Sequence, residues 1–299
     1  MTSPSAGFLY ALTSASLYGL NIAFASLASL GGVSGSTLVV YRVLLMLALV
    51  TAFAALLRQP LKVAAGERGV LAVLGLSTTL VGVCYLSSVA FIPVTVAVVL
   101  FYTFPILIVV ASPFVEGTRL TPPLIGIAAL ALGGVILVVG PAFDRLDWRG
   151  VALALAASVA VATQFFAAAR CPRTGMVAKV FWIHLLVLPT ATFIALLSGS
   201  LAGPDTLAAA PYPVAMTIGG YLVGFVLQLL ALGRISAVVA GIVYCAEPVV
   251  AALASMVLLG EVLSPLQYAG GALVLAAIVA NILASHLPGK ARPSAPAAD

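Results

Sequence analysis

Polar positions are sparse along this chain, and they separate long apolar runs. Ten runs approach the roughly 20 mostly apolar residues that a helix needs to cross a bilayer. They are 7–30, 35–57, 69–91, 93–114, 121–140, 150–170, 175–198, 211–232, 236–259 and 265–286. Six of them carry polar side chains at helical spacing. Ser14, Tyr18 and Asn21 repeat at i, i+4, i+7 in span one, and Thr217, Tyr221, Gly224 and Gln228 form a similar row in span eight. Span three has Thr78, Tyr85 and Ser88, span four Thr95 and Tyr102, span six Thr163 and Gln164, and span nine Ser236, Tyr244, Glu247 and Ser255. Polar groups are costly in hydrocarbon, so such rows mark a bundle interior or a water-filled path. Spans 1, 3, 4, 6, 8 and 9 are therefore expected to line a central cavity. Spans 2, 5, 7 and 10 are expected to brace it, with Gly126, Gly133, Gly134, Gly270 and Gly271 letting spans five and ten approach closely.

The second half repeats the first at a constant offset of 143 residues, the separation of Pro105 from Pro248. Ser112 matches Ser255, Gly117 matches Gly260, Leu120 matches Leu263 and Pro122 matches Pro265 in the same register. Each copy holds five spans, an odd number, so the second copy crosses the membrane in the opposite sense. The expected fold is an all-α integral membrane protein of ten transmembrane helices, built from two inverted five-helix repeats. Residues 1–145 form the first repeat, 146–288 the second, and 289–299 a disordered cytoplasmic tail. Inverted repeats let one site face two sides in turn, which points to a transporter.

Composition narrows the class. The chain is 63% hydrophobic and 7% charged, with a mean hydropathy of +1.25. Soluble domains carry about 25% charged residues, so little is left here for one. The net charge of +5 is distributed by topology and implies no nucleic-acid partner. Arg58, Lys62, Arg68, Arg119, Arg170, Arg173, Lys179, Arg234, Lys290 and Arg292 fall on the side of both termini, and only Arg145 and Arg149 on the other. The positive-inside rule makes both termini cytoplasmic, in a bacterial inner membrane. Span one lacks a basic leader and a small-residue cleavage site and is read as retained. Cys84, Cys171 and Cys245 suggest neither a disulfide framework nor a metal site, and no cofactor is expected. The chain is expected to be monomeric, with spans five and ten as packing surfaces.

Glu247 is the strongest single candidate for chemistry, an acid about 16 Å into its span. It could relay protons or hold a substrate ammonium, or it could be a structural carboxyl. Arg42, the other intramembrane charge, is read as snorkelling to the interface, and His184 as a packing residue. Asn21 matches Gln164 and Tyr85 matches Gln228 across the repeat, placing one pair outward and the other inward of the midplane. With Tyr102, Tyr244 and Glu247 nearer the middle, these seven residues make up the expected substrate site. Pro93, Pro105 and Pro248 are expected hinges, because proline inside a helix removes a hydrogen bond and bends it.

Ala246-Glu247-Pro248-Val249-Val250-Ala251-Ala252-Leu253, followed by Leu258-Leu259-Gly260-Glu261, resembles the span-nine signature of the EamA-type permeases in the drug/metabolite transporter superfamily. Tyr41-Arg42 is similar to the span-two motif of that family, and the resemblance runs from about residue 7 to 286. The first copy departs from it, with Gly117-Thr118 where a Gly-Glu is favoured, so Glu261 is read as structural. The resemblance implies a secondary transporter, most similar to the exporters of aromatic amino acids. Its substrates would be small amphiphilic metabolites; drugs or sugar-nucleotide-type metabolites are the alternative. Tyrosines can contact a ring or an ammonium, while Asn and Gln can fix a zwitterion. An intramembrane lipid-modifying enzyme would need convergent acids or histidines, whereas a scaffold would need no polar rows.

Topology supplies the first test. A reporter fused to the C-terminus should be active only in the cytoplasm; activity confined to the periplasm would contradict the assigned orientation.

Overall fold

A computed structural model describes residues 4–140 and 146–286. Arg145 and the tail 289–299 lie outside the described residues. Twelve α-helices are present among the described residues: α1 (Pro4–Leu30), α2 (Gly35–Leu56), α3 (Arg68–Ser88), α4 (Val94–Phe101), α5 (Phe104–Val115), α6 (Pro122–Val139), α7 (Trp148–Ala169), α8 (Met176–Leu197), α9 (Pro211–Leu232), α10 (Ala237–Tyr244), α11 (Ala246–Leu259) and α12 (Pro265–His286). A 3₁₀ helix, Pro204–Ala209, precedes α9. Taken as continuous spans, α4 with α5 and α10 with α11 leave ten segments long and apolar enough to cross a membrane.

Prolines set the two breaks. Proline lacks an N–H, so the carbonyl four residues earlier loses its helical donor. Pro105 removes the partner of Phe101 and Pro248 that of Tyr244, and α4 and α10 end at those two residues. The cap residues at the breaks, Tyr102 and Cys245, occupy equivalent positions in the two repeats. Pro93 differs from the expectation of an internal hinge. It caps the start of α4, where no helical hydrogen bond is lost.

The two halves interdigitate. α1 packs on α9 and α11, and the repeat-equivalent α7 packs on α3 and on both parts of span four. α2 pairs with α8, and α6 with α12, each across the pseudo-two-fold axis. Contacts between successive spans of one half are minor by comparison. A single half would therefore leave most of its packing faces uncovered. The small-residue expectation for spans five and ten holds at one crossing: a Cβ at Gly134 would lie 2.8 Å from the Gly270 carbonyl, and one at Gly270 2.7 Å from the Gly134 carbonyl. Gly126 and Gly133 face open space instead.

Both ends of the α2–α8 pair are fastened. At one end Ser34 Oγ (2.8 Å) and Thr37 Oγ1 (2.6 Å) donate to the Ser200 carbonyl, and the Tyr41 hydroxyl donates to the Ala202 carbonyl (3.1 Å). At the other end the buried Glu67 carboxylate accepts from Arg173 N (2.9 Å), Thr174 N (2.7 Å) and Thr174 Oγ1 (2.5 Å). Trp182 Nε1 adds a bond to the Leu61 carbonyl (2.9 Å). Exchanging the repeats interchanges the loops that carry the two clasps but not their bonding residues, and only the second contains an ionised group.

Burial alone would raise the Glu67 pKa, but the Thr174 hydroxyl and the two backbone N–H groups outweigh it, with Arg173 assisting, and hold the carboxyl below its ordinary 4.5. A depressed folded-state pKa gives stability that is complete above the ordinary value and lost as pH falls through the lower one. Glu67→Gln should cost about 1.5–3 kcal/mol at neutral pH, the range for hydrogen bonds to a charged group. Thermal unfolding in micelles should show the wild type converging on this variant as pH drops below 4.5; a pH-independent gap would contradict the assignment.

Candidate functional site

The helix breaks bring the central side chains together. Glu247 is the second residue of α11 and Tyr244 the last of α10, while Tyr102 follows α4. The buried Tyr102 hydroxyl faces the Glu247 carboxyl, its one hydrogen-bonding neighbour, although the contact falls short of a well-formed bond. Tyr18, Tyr85 and Tyr244 also stand in the field of Glu247. Among the described residues no cation pairs with Glu247.

Hydrogen bonds tie the polar rows to one another across helices. Tyr244 donates to Ser14 Oγ (2.7 Å), which donates to the Gly224 carbonyl (2.7 Å), joining α10, α1 and α9. Tyr18 donates to Gln228 Oε1 (2.9 Å), Gln228 Nε2 to Gln164 Oε1 (3.5 Å), and Gln164 Nε2 to Thr78 Oγ1 (2.8 Å). That chain crosses α1, α9, α7 and α3 in sequence. Thr78 also donates to a carbonyl of its own helix, and Thr163 and Ser88 do only such local work.

Rings fill the space between these bonds. Tyr244 meets Tyr18 (centroids 6.3 Å apart) and lies edge-on to Phe165 at 5.2 Å; Phe165 continues to Phe104 at 5.5 Å. On the far side Phe101 contacts both Tyr85 and Tyr102 at 5.4 Å. Tyr85, Tyr102, Gln164, Gln228, Tyr244 and Glu247 thus form one cluster, with Tyr18 as an additional member. Asn21 sits apart, donating to the Thr217 carbonyl. Pro105 and Pro248 border the cluster at the breaks, whereas Pro93 lies beyond the other end of α4.

Repeat-equivalent pairs are not arranged alike. Gln164 and Gln228 meet near the C-terminal ends of α7 and α9. Their counterparts Asn21 and Tyr85 share no hydrogen bond, and α1 and α3 make no contact comparable to that of α7 with α9. Of the two equivalent layers, one is bridged by a side-chain hydrogen bond and the other is not.

Arg42 does not snorkel, contrary to expectation. Its guanidinium lies 4.2 Å over the Tyr221 ring, turned into the bundle. The Tyr221 hydroxyl bonds His184 Nε2 (2.9 Å), and His184 Nδ1 donates to the Val180 carbonyl (2.8 Å). Tyr18, Tyr221 and Arg42 are the residues that the expected site left out. Both tyrosines stand in the polar rows, but their neighbours on other helices were not legible there. Two surface concavities lie elsewhere. One, about 640 Å³, is lined by Phe91 and Leu146–Arg149; the other, about 320 Å³, is an apolar groove between α1 and α11.

The sequence profile of the EamA-like transporter family matches residues 5–140 and again 148–283, two copies with the internal offset of 143 residues. The chain belongs to that family, and it is a multi-pass transporter of the drug/metabolite superfamily. No curated protein matches the sequence. A crystal structure titled only "Crystal structure of protein" shares the fold at a TM-score of 0.75 and 20% identity, covering 95% of this chain and all of its own.

The two central tyrosines should behave differently. Tyr244→Phe strands the Ser14 bond and should cost about 1 kcal/mol in thermal unfolding. Tyr102→Phe removes a hydroxyl whose only polar neighbour is the Glu247 carboxyl, in a poorly formed bond, and should cost less than Tyr244→Phe. Equal losses for both would contradict the bonding described.

Proposed function

With family membership as the premise, we propose that the protein moves small amphiphilic metabolites, aromatic amino acids among them, by alternating access through the central cluster. It would lie in a bacterial inner membrane with both termini cytoplasmic. The observation that carries this reading is Glu247 at a proline break, with no cation paired to it among the described residues and with Tyr18, Tyr85, Tyr102 and Tyr244 close enough to feel its charge. Broken helices at the midplane are where inverted-repeat transporters place substrate. An ammonium beside Glu247 would gain a charge-assisted bond in a low-dielectric site, and the rings would take an aromatic side chain.

Alternating access draws support from the unequal pairs. Gln164–Gln228 would be the closed gate on the cytoplasmic side and Asn21–Tyr85 the open one opposite. The two exchange roles when the bundle of spans 1, 8 and 9 rocks against that of spans 3, 4 and 6. Pro105 and Pro248 would act as the hinges. No second carboxylate or histidine pairs with Glu247 among the described residues, so the transport step is assigned as uncoupled from protons.

Proteoliposomes preloaded with unlabelled phenylalanine should accumulate labelled phenylalanine by counterflow. An imposed pH gradient should leave the final level unchanged, and Glu247→Gln should slow exchange on the order of tenfold. Wild-type liposomes that exchange no amino acid, or a Gln variant exchanging at the native rate, would contradict this function.

A further inference from the structure

Arg42 is the second intramembrane charge, and the structure gives it no partner. It stands seven residues into α2, about 10 Å from that end of the helix. No hydrogen bond or ion pair reaches its guanidinium among the described residues, and Nε is buried without an acceptor. An unmatched charge at this depth is costly, and such residues mark substrate or ion pathways.

The stack on Tyr221 fixes how the charge is presented. The guanidinium carbon lies over the Tyr221 ring, 4.2 Å from its centre, and the ring is held by the bond from its hydroxyl to His184 Nε2 (2.9 Å). A cation–π contact uses none of the guanidinium N–H donors, so their fork is left for an acceptor. That fork matches the two oxygens of a carboxylate. Tyr221 lies 6.5 Å from Tyr18, and Tyr18 lies 6.3 Å from Tyr244. Arg42 and Glu247 both act electrostatically on the Tyr18 hydroxyl. Two opposite charges, each unpaired, therefore border one row of tyrosines.

Building on the function proposed above, we propose that Arg42 anchors the substrate carboxylate while Glu247 faces its ammonium, so that the transported class is the α-amino acid zwitterion. An amine would leave Arg42 unmatched, a carboxylic acid would leave Glu247 unmatched, and a neutral sugar would leave both. A phosphate dianion would bring two charges to one guanidinium and set them against Glu247. A site with buried polar groups rejects a ligand that cannot pair them far more strongly than an apolar pocket rejects a change in size.

The test compares phenylalanine with 2-phenylethylamine, which lacks only the carboxylate, as competitors of labelled phenylalanine counterflow. Wild-type protein should prefer phenylalanine on the order of a hundredfold, and Arg42→Gln should cut that ratio at least about tenfold. Arg42→Lys keeps the charge but loses the fork and should fall between them; it also supplies a folded comparison if the Gln variant does not accumulate. Ligand-induced rises in melting temperature of the purified variants give the same ratio without relying on transport. A wild type that binds the amine as tightly as the amino acid, or variants that keep the native ratio, would overturn the role of Arg42. Absence of amino acid exchange by the wild type would instead remove the underlying function, and with it this assignment.

Discussion

Hydrocarbon offers no hydrogen bonds to an exposed backbone, so a broken helix survives in a membrane only where protein surrounds it. Pro105 and Pro248 break spans four and nine at equivalent points. Those breaks must therefore sit at the centre, and the rest of the bundle follows. α7 covers the first break and α1 the second, and each of these helices comes from the opposite half. The pairs α2–α8 and α6–α12 close the two remaining sides. Because the packing is reciprocal, the duplication is a folding requirement as well as a symmetry.

The two copies are alike in their packing and differ in their polar contacts. Here the same layer is joined in one copy by Gln164 and Gln228 and left apart in the other at Asn21 and Tyr85. The clasps at the ends of the α2–α8 pair differ as well: one is made of hydroxyls on carbonyls, the other of a carboxylate on N–H groups. Both ends of that pair are thus tied by hydrogen bonds between the halves.

Much of this was legible in the residues. Span count, repeat offset and the inverted fold follow from apolar length and an odd number, both one-dimensional properties. The polar rows indicate which helix faces turn towards other helices, because a row faces whatever its helix faces. What a row does not encode is the partner. Tyr18 and Gln228 stand 210 residues apart, and only folding brings them to 2.9 Å. Arg42 was misread for the same reason, since its distance from the helix end suggested the interface while its contact with Tyr221 turns it inward. Pro93 was misread because a proline at a helix start and one inside a helix look alike when the boundary is uncertain by a residue or two. Glu67 escaped notice altogether: a lone loop acid carries no pattern until Arg173 and Thr174 are placed against it.

Paired cysteines test the alternation of the two layers most directly. In a background with Cys84, Cys171 and Cys245 replaced, Gln164→Cys with Gln228→Cys should bridge readily, and Asn21→Cys with Tyr85→Cys only when substrate drives exchange. Either bridge should stop counterflow, reduction should restore it, and a molecule holding one bridge should be unable to form the other. Both bridges closing together in one molecule, or counterflow that continues with either closed, would contradict alternating access through these layers.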